Sequence, residues 1–183
     1  EADAASQMGK DATDITRCGY GKTNGYVGIR LNNLAYSLMR SNDYAGANAA
    51  MKEAIEVRKS LEPPGSRKLG TSLNNLASTE YALGHWPEAE RLWTQALEIR
   101  RKGADTTDTA YTLTGLAGAQ REQANLESAR ENIDEAVVLL RAHPSPKPTH
   151  LARTLIEHVE VYLALHIVAC TDAEEAVALM AKN

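Results

Sequence analysis

The sequence predicts an all-α fold, a solenoid of antiparallel helical hairpins, and three observations predict it. Leu73-Asn74-Asn75-Leu76-Ala77 opens an apolar-periodic segment, Gly84 and Pro87 punctuate it, and a second such segment runs through Gln95-Ala96-Leu97-Glu98-Ile99-Arg100. The same pattern returns in phase: Leu31-Asn32-Asn33-Leu34-Ala35 lies 42 residues earlier, and Leu113-Thr114-Gly115-Leu116-Ala117 lies 40 residues later. Repeats of this length mean stacked helix pairs, each burying its apolar face on the next. The composition of the 183 residues suits thin helical layers, being 43% hydrophobic but only 5% aromatic, with no Phe. Frequent alanine lets helix backbones approach closely at their crossings.

Each element follows from local signals. Residues 1–18 read as half a repeat, because Ala5, Ala12 and Ile15 fall 42 residues before Ala47, Ala54 and Val57. Three glycines between Gly19 and Gly25 predict a loop. The first full repeat, residues 24–62, has helices at about Asn24–Ser41 and Asp43–Leu61, and Pro63-Pro64-Gly65 stops it. The second, residues 66–102, has helices at about Ser66–Gly84 and Trp86–Lys102, with Pro87 in a first turn where its missing N–H costs nothing. The third, residues 105–142, has helices at about Thr106–Gln123 and Leu126–Ala142, with Asp105 as an N-cap. His143-Pro144-Ser145-Pro146-Lys147-Pro148 is a stiff linker.

The fourth repeat, residues 147–183, is irregular. Leu163 to Cys170 contains no Gly, Asn or Pro, and the first stop–start signal is the capping-box pattern Thr171-Asp172-Ala173-Glu174. This predicts a first helix extending to about Ala169 and a short second helix from Asp172. The register of Ala178-Leu179 with Ala96-Leu97 points the other way, to a turn in its usual place. The chain is thus expected to form one array of about 3.5–4 repeats and about nine helices. Half a repeat at one end and apolar residues at the other predict terminal faces that pair with a second copy, making a homo-oligomer, or that continue into further sequence.

These residues resemble the tetratricopeptide repeat, in its kinesin-light-chain-like form with a period near 42. The second repeat carries the pattern as Leu73, Asn75, Leu76, Ala77, Gly84, Trp86, Ala89, Ala96 and Leu97. The first has Leu31, Asn33, Leu34, Ala35, Tyr44, Ala47, Ala54 and Ile55, with Asn42 in place of the glycine. The third keeps Leu113, Leu116, Ala117, Leu126, Ala129, Ala136 and Val137, with Gly115 in place of the asparagine. The resemblance implies a right-handed superhelical solenoid that holds a protein or peptide partner in a concave groove lined by the first helices. On that basis Asn33 and Asn75 match the asparagine that bonds a bound peptide's backbone, a task suited to an amide because it donates and accepts. The alternative is that each amide only bonds a neighbouring helix. Tyr36, Arg40, Ser78, Tyr81, Arg121, Arg153 and Glu160 are expected to line the same groove, where arginine and tyrosine serve as anchors. Gly84 is expected to close its helix in the left-handed conformation, and Trp86 and Tyr44 to fill space between hairpins. Glu80 and Gln120 occupy positions the family usually fills with a packing residue; they are expected either to bond across the repeat or to turn outward, and paired surface polarity is the favoured reading. Asn32 and Asn74 stand where a carboxylate-clamp domain has its first lysine, and Tyr111 and Gly115 replace its later basic pair, so that activity is not expected.

Other classes lack their signatures. The five histidines form no H-x-x-x-H pair and no Cys–His cluster, so no metal, cofactor or catalytic residue is assigned. Gly21-Lys22-Thr23 matches only the end of a phosphate-binding loop, with Thr16 where its first glycine belongs. A net charge of −4 without a basic stripe argues against nucleic acid, and no apolar run approaches a membrane span. Cys18 and Cys170 near opposite ends are expected to stay unpaired, favouring a reducing, cytoplasmic setting. The expected function is a protein- or peptide-binding scaffold. The competing reading is a structural or regulatory segment of a larger protein, without an outside ligand.

Overall fold

The computed structural model describes residues 2–21, 24–103, 106–166 and 170–181. Among these every regular element is a helix: α1 (Ala2–Tyr20), α2 (Gly25–Arg40), α3 (Tyr44–Leu61), α4 (Arg67–Ala82), α5 (Trp86–Lys102), α6 (Thr106–Glu122), α7 (Leu126–Ala142), α8 (Pro148–Ala164) and α9 (Cys170–Met180). The chain divides into two compact units, Glu1–Ile99 and Arg100–Asn183, the division falling inside α5. Lys22, Thr23 and the expected cap Asp105 lie outside the described residues, as does the side chain of Cys170.

The starts of α2, α3 and α4 are set by side-chain caps, whereas Asn125 and Lys147, at the starts of α7 and α8, make no such bond. Asn24 Oδ1 accepts from the Tyr26 amide (2.9 Å), Asp43 Oδ1 from Gly46 (2.8 Å) and Ser66 Oγ from Leu69 (3.1 Å). Helix ends within the hairpins share one device. Asn42, Gly84, Ala124 and His166 all adopt the left-handed conformation, with φ of 60°, 78°, 59° and 59°. The amide of the following residue turns back onto the last helical turn, from Asp43 to Leu38, His85 to Glu80 and Asn125 to Gln120, each at 2.9 Å. The closing positions therefore keep the repeat spacing although only one of them is glycine.

Two boundaries differ from the sequence reading. α8 ends at Ala164 rather than about Ala169, because His166 takes the left-handed turn at the register of Gly84. The turn had not moved. At the other end, Gly19 and Tyr20 continue α1 instead of forming a loop, and closure waits for Gly21, whose amide bonds Arg17 (3.0 Å) at φ 81°. The ring of Tyr20 then lies 5.7 Å from that of Tyr26.

In unit 1 the core is built from Val27, Leu31, Leu34 and Ala35 of α2, Ala47, Met51 and Ala54 of α3, Leu73, Leu76 and Ala77 of α4, and Ala89, Leu92 and Ala96 of α5. Trp93, 2% exposed and tilted against Tyr81 at 5.8 Å, fills the interior. Trp86 and Tyr44, the expected fillers, are only half-buried. In unit 2 Ala110, Leu113, Leu116, Ala117, Ala129, Ile133, Ala136, Leu140, Leu151, Leu155 and Val161 form the core. Arg100 is buried there because its guanidinium donates to the Asp108 carbonyl (2.5 Å) and the Thr112 hydroxyl.

Glu80 and Gln120 do not turn outward. Both are buried, at 4% and 7% exposure, and both bond across helices. Glu80 of α4 lies 3.3 Å from Lys52 Nζ of α3 and 2.7 Å from His85 Nδ1 in its own hairpin turn. Burial alone would raise its pKa, but hydrogen bonds from Asn48, His85 and Lys52 outweigh it and hold the carboxyl below the usual carboxylate range. Gln120 Oε1 accepts from Asn132 Nδ2 of α7 at 2.8 Å. A buried polar group persists only when its partners are supplied, and here the adjoining helix supplies them.

Candidate functional site

The first helices of the hairpins present the surface on which the expected binding residues lie, and each unit is taken by itself. In unit 1, α2 exposes one face made of Tyr26, Ile29, Arg30, Asn33, Tyr36 and Arg40, spaced three or four apart so that all fall on one side. Tyr26 and Tyr36 are 64% and 66% exposed, far more than tyrosines in a packed interior. α4 lies beside α2 and brings Asn75, Ser78 and Tyr81, all half-buried.

The asparagine pairs divide the work. Asn32 Nδ2 donates to the Gly28 carbonyl (2.7 Å) and to Ser72 Oγ of α4 (3.2 Å), joining the two helices. Asn74 is 2% exposed at the matching position. Asn33 and Asn75, one residue on, have no side-chain hydrogen-bond partner among the described residues and face outward or half outward. The structural amides are therefore Asn32 and Asn74. Ser78 spends its hydroxyl on the Asn74 carbonyl (3.1 Å), and Tyr81 leans its ring on Trp93.

Charge on these helices is uneven. α2 and α4 carry Arg30, Arg40, Arg67 and Lys68, and their one acid is the buried, paired Glu80. Beside Lys68, a pocket of about 380 Å³ is lined by Asn24, Gly25, Tyr26, Ile29 and Lys68. Sequence reasoning missed Tyr26, Ile29 and Lys68. The signal was present, since carrying the Asn33 phase back two turns leads to Ile29 and Tyr26. A larger groove in unit 1, about 890 Å³, lies elsewhere, between α3 and α5 over Leu69, Leu73 and Leu76.

In unit 2 the expected arginines are already occupied. Arg121 of α6 contacts Glu157 (2.8 Å) and Glu160 (2.8 Å) of α8 and its neighbour Glu122 (3.0 Å). Burial opposes its charge, yet the three carboxylates hold its proton more tightly than usual. Burial also pushes Glu157 up, with Arg121 pulling it down without cancelling the effect. Gly118 makes this possible, because a Cβ there would come within 3.3 Å of Glu157 Oε2. Arg153 Nη1 donates to Tyr111 Oη (2.9 Å), with its guanidinium carbon 5.2 Å from that ring's centre. α6 and α8 together carry Asp108, Glu122, Glu157 and Glu160 against Arg121 and Arg153, so this surface is acidic where that of unit 1 is basic. Among the described residues no cluster of His, Cys, Asp and Glu could hold a metal, and no helix is long and apolar enough to cross a membrane.

Helix pairs closed at intervals of 40 to 42 residues, with unpaired amides in register on α2 and α4, define a helical-repeat protein. The chain belongs to the tetratricopeptide repeat family, whose model matches residues 26–102 and 68–142. Its fold is of the kinesin-light-chain type. The nearly identical TPR-like repeats of a Podosopora anserina kinesin light chain are 19% identical and superpose with a TM-score of 0.81, over 99% of this chain and 87% of that one. BtubC (BKLC) from P. vanneervenii is 19% identical, with a TM-score of 0.77 over 99% and 71% of the two chains. The N-terminal domain of stress-induced protein-1 from C. elegans is 19% identical, with a TM-score of 0.53 over 73% of this chain and 95% of that one. No protein of curated function matches in sequence.

Proposed function

We propose that the chain is a non-catalytic scaffold that binds an extended peptide segment of a partner protein on the α2–α4 face, through Asn33 and Asn75. The observation that carries this reading is the pair of amides, 42 residues apart, without a partner beside neighbours that are bonded or buried. Each can donate and accept at once, which matches the alternating groups of an extended backbone. Tyr26, Ile29 and Tyr36 add apolar contact surface, and Arg30 and Arg40 add charge with no acid to neutralise it on α2. The surface favours peptides that carry carboxylates beside an apolar side chain. In unit 2, Arg121 holds Glu157 and Glu160 in place and Arg153 is bonded to Tyr111.

The test is selection of linear peptides from a displayed random library by the whole chain, repeated with an Asn33→Ala, Asn75→Ala double variant. Acidic peptides should be enriched by the natural chain and lost by the variant, whose helicity and melting temperature stay unchanged. Equal enrichment by both, or a variant that unfolds, would sink the assignment. No enrichment at all would favour a structural segment without an outside ligand.

A further inference from the structure

The second helices of the hairpins carry a ladder of charges. Arg17, Lys59, Arg101 and Arg141 recur at intervals of 42, 42 and 40 residues, and Glu53, Gln95, Glu135 and Glu175 at intervals of 42, 40 and 40. Within unit 1, Arg17 of α1 reaches Glu53 of α3 at 2.6 Å. Within unit 2, Arg101 of α5 reaches Glu135 of α7 at 2.6 Å, and Arg141 of α7 reaches Glu175 of α9 at 2.8 Å. The rung between α3 and α5 is missing, because Gln95 stands where the acid belongs. Lys59 turns back instead to Glu56 of its own helix (2.9 Å), and with side chains 56% and 71% exposed that pair holds weakly.

The groove of about 890 Å³ opens at this rung. Its floor is Ile55, Leu69, Leu73, Leu76, Leu92 and Ile99, and its α5 wall runs from Glu88 to Ile99, about 18 Å or three helical turns. Along the rims Lys52 is met by Glu80, Glu53 by Arg17 and Glu88 by Arg91. Two charges are left to meet an incoming chain. Lys59 stands on the α3 rim, and Glu98, without an ion-pair partner among the described residues, stands on the α5 rim one turn beyond Gln95. All the walls are helices, whose backbone groups are bonded within themselves. An extended segment laid here would find no main-chain partners and would leave its own amides unmet over an apolar floor. A helix arrives with them satisfied and offers one apolar stripe to the leucines. We propose that the α3–α5 groove of unit 1 is a docking site for an amphipathic helix of a partner protein. That helix carries a carboxylate on the edge facing Lys59 and a cation on the edge facing Glu98, and its carboxylate supplies the rung that Gln95 omits. The rims belong to second helices, whereas Asn33 and Asn75 lie on first helices, so the inference does not rest on the extended-peptide reading.

Selection by the whole chain from a displayed library of helix-forming peptides of about 18 residues, long enough to hold a helix, tests it. Leucines fix one apolar stripe, and the positions on its two edges vary among Glu, Gln and Lys. Enriched clones should carry Glu along one edge and Lys along the other. Gln95→Glu gives Lys59 its acid within the chain and repels the incoming one, so it should weaken these clones about fivefold, the scale of one exposed ion pair. Lys59→Glu should turn the selected Glu edge to Lys, leaving Lys on both. Gln95 and Lys59 are exposed, so neither substitution disturbs the packed helices. The Asn33→Ala, Asn75→Ala double variant should retain every clone. No enrichment, equal affinity for the natural chain and Gln95→Glu, or an unaltered selection with Lys59→Glu would each overturn the proposal. Clones lost with the asparagine variant would belong to the α2–α4 face and overturn it as well.

Discussion

A helix turns about 100° per residue, so neighbouring side chains on α2 meet different surroundings. Asn32 points to α4 and bonds Ser72, whereas Asn33 is exposed. Asn32→Ala should therefore lower stability by about 1 kcal/mol, the worth of a typical hydrogen bond, and Asn75→Ala should leave it unchanged, as urea unfolding would measure. Equal losses for the two variants would remove the distinction. Glu80 makes a pH-dependent contribution. Its folded-state pKa is depressed, so its stabilisation is present above the unfolded carboxylate pKa and disappears as pH falls through the lowered folded value. Glu80→Gln should cost about 2 kcal/mol at neutral pH, for charge-assisted bonds lost, and the gap to the natural chain should close as the solution is acidified below about pH 4. Unfolding curves of both proteins across that range provide the check. The burial of Glu80 could not be read from its own segment, because the groups that accommodate it, Lys52 and Asn48, sit one helix earlier. The capture of Arg121 by Glu157, 36 residues away, was hidden for the same reason. The phase of Asn33 and Asn75, by contrast, is local and was legible.

At the level of helices, the hairpins were readable because apolar spacing and proline punctuation are local signals, and α5 and α7 start and stop where those signals lie. The closing residue was not readable in every repeat. Glycine marks it at Gly84, but Ala124 and His166 adopt the same conformation because the packed helices on either side require the turn there. Ala124→Gly should relieve about 1 kcal/mol of backbone strain and raise the melting temperature by about 2–4 °C, measurable by calorimetry. A lower melting temperature would show that Ala124 is not strained. Ala89, with no exposed surface in α5, tests the opposite case. Ala89→Glu places an unpaired charge in the core and should abolish cooperative unfolding of unit 1, seen as loss of its melting transition. A fully folded Ala89→Glu chain would contradict the packing described.

Across the whole molecule, basic residues gather on the first helices of unit 1 and acidic ones on those of unit 2, while the net charge is only −4. A total hides this separation, which emerges only once the helices are sorted by position. Capture of an acidic peptide by unit 1 should therefore weaken as salt is added, because exposed charges are screened beyond roughly 8 Å at physiological ionic strength. Titrations of one selected peptide at several salt concentrations would show it. Affinity independent of salt would leave Arg30 and Arg40 without a part in binding.

Both tryptophans, Trp86 and Trp93, belong to α5 within unit 1, and the buried Trp93 lies against Tyr81. Intrinsic fluorescence excited at the indole band is therefore blind to unit 2, whereas circular dichroism averages over every helix. In repeat proteins neighbouring units can melt separately, so the two signals should trace different denaturation curves. The interval between their midpoints then gauges how independently the two units unfold, with no label attached to the chain.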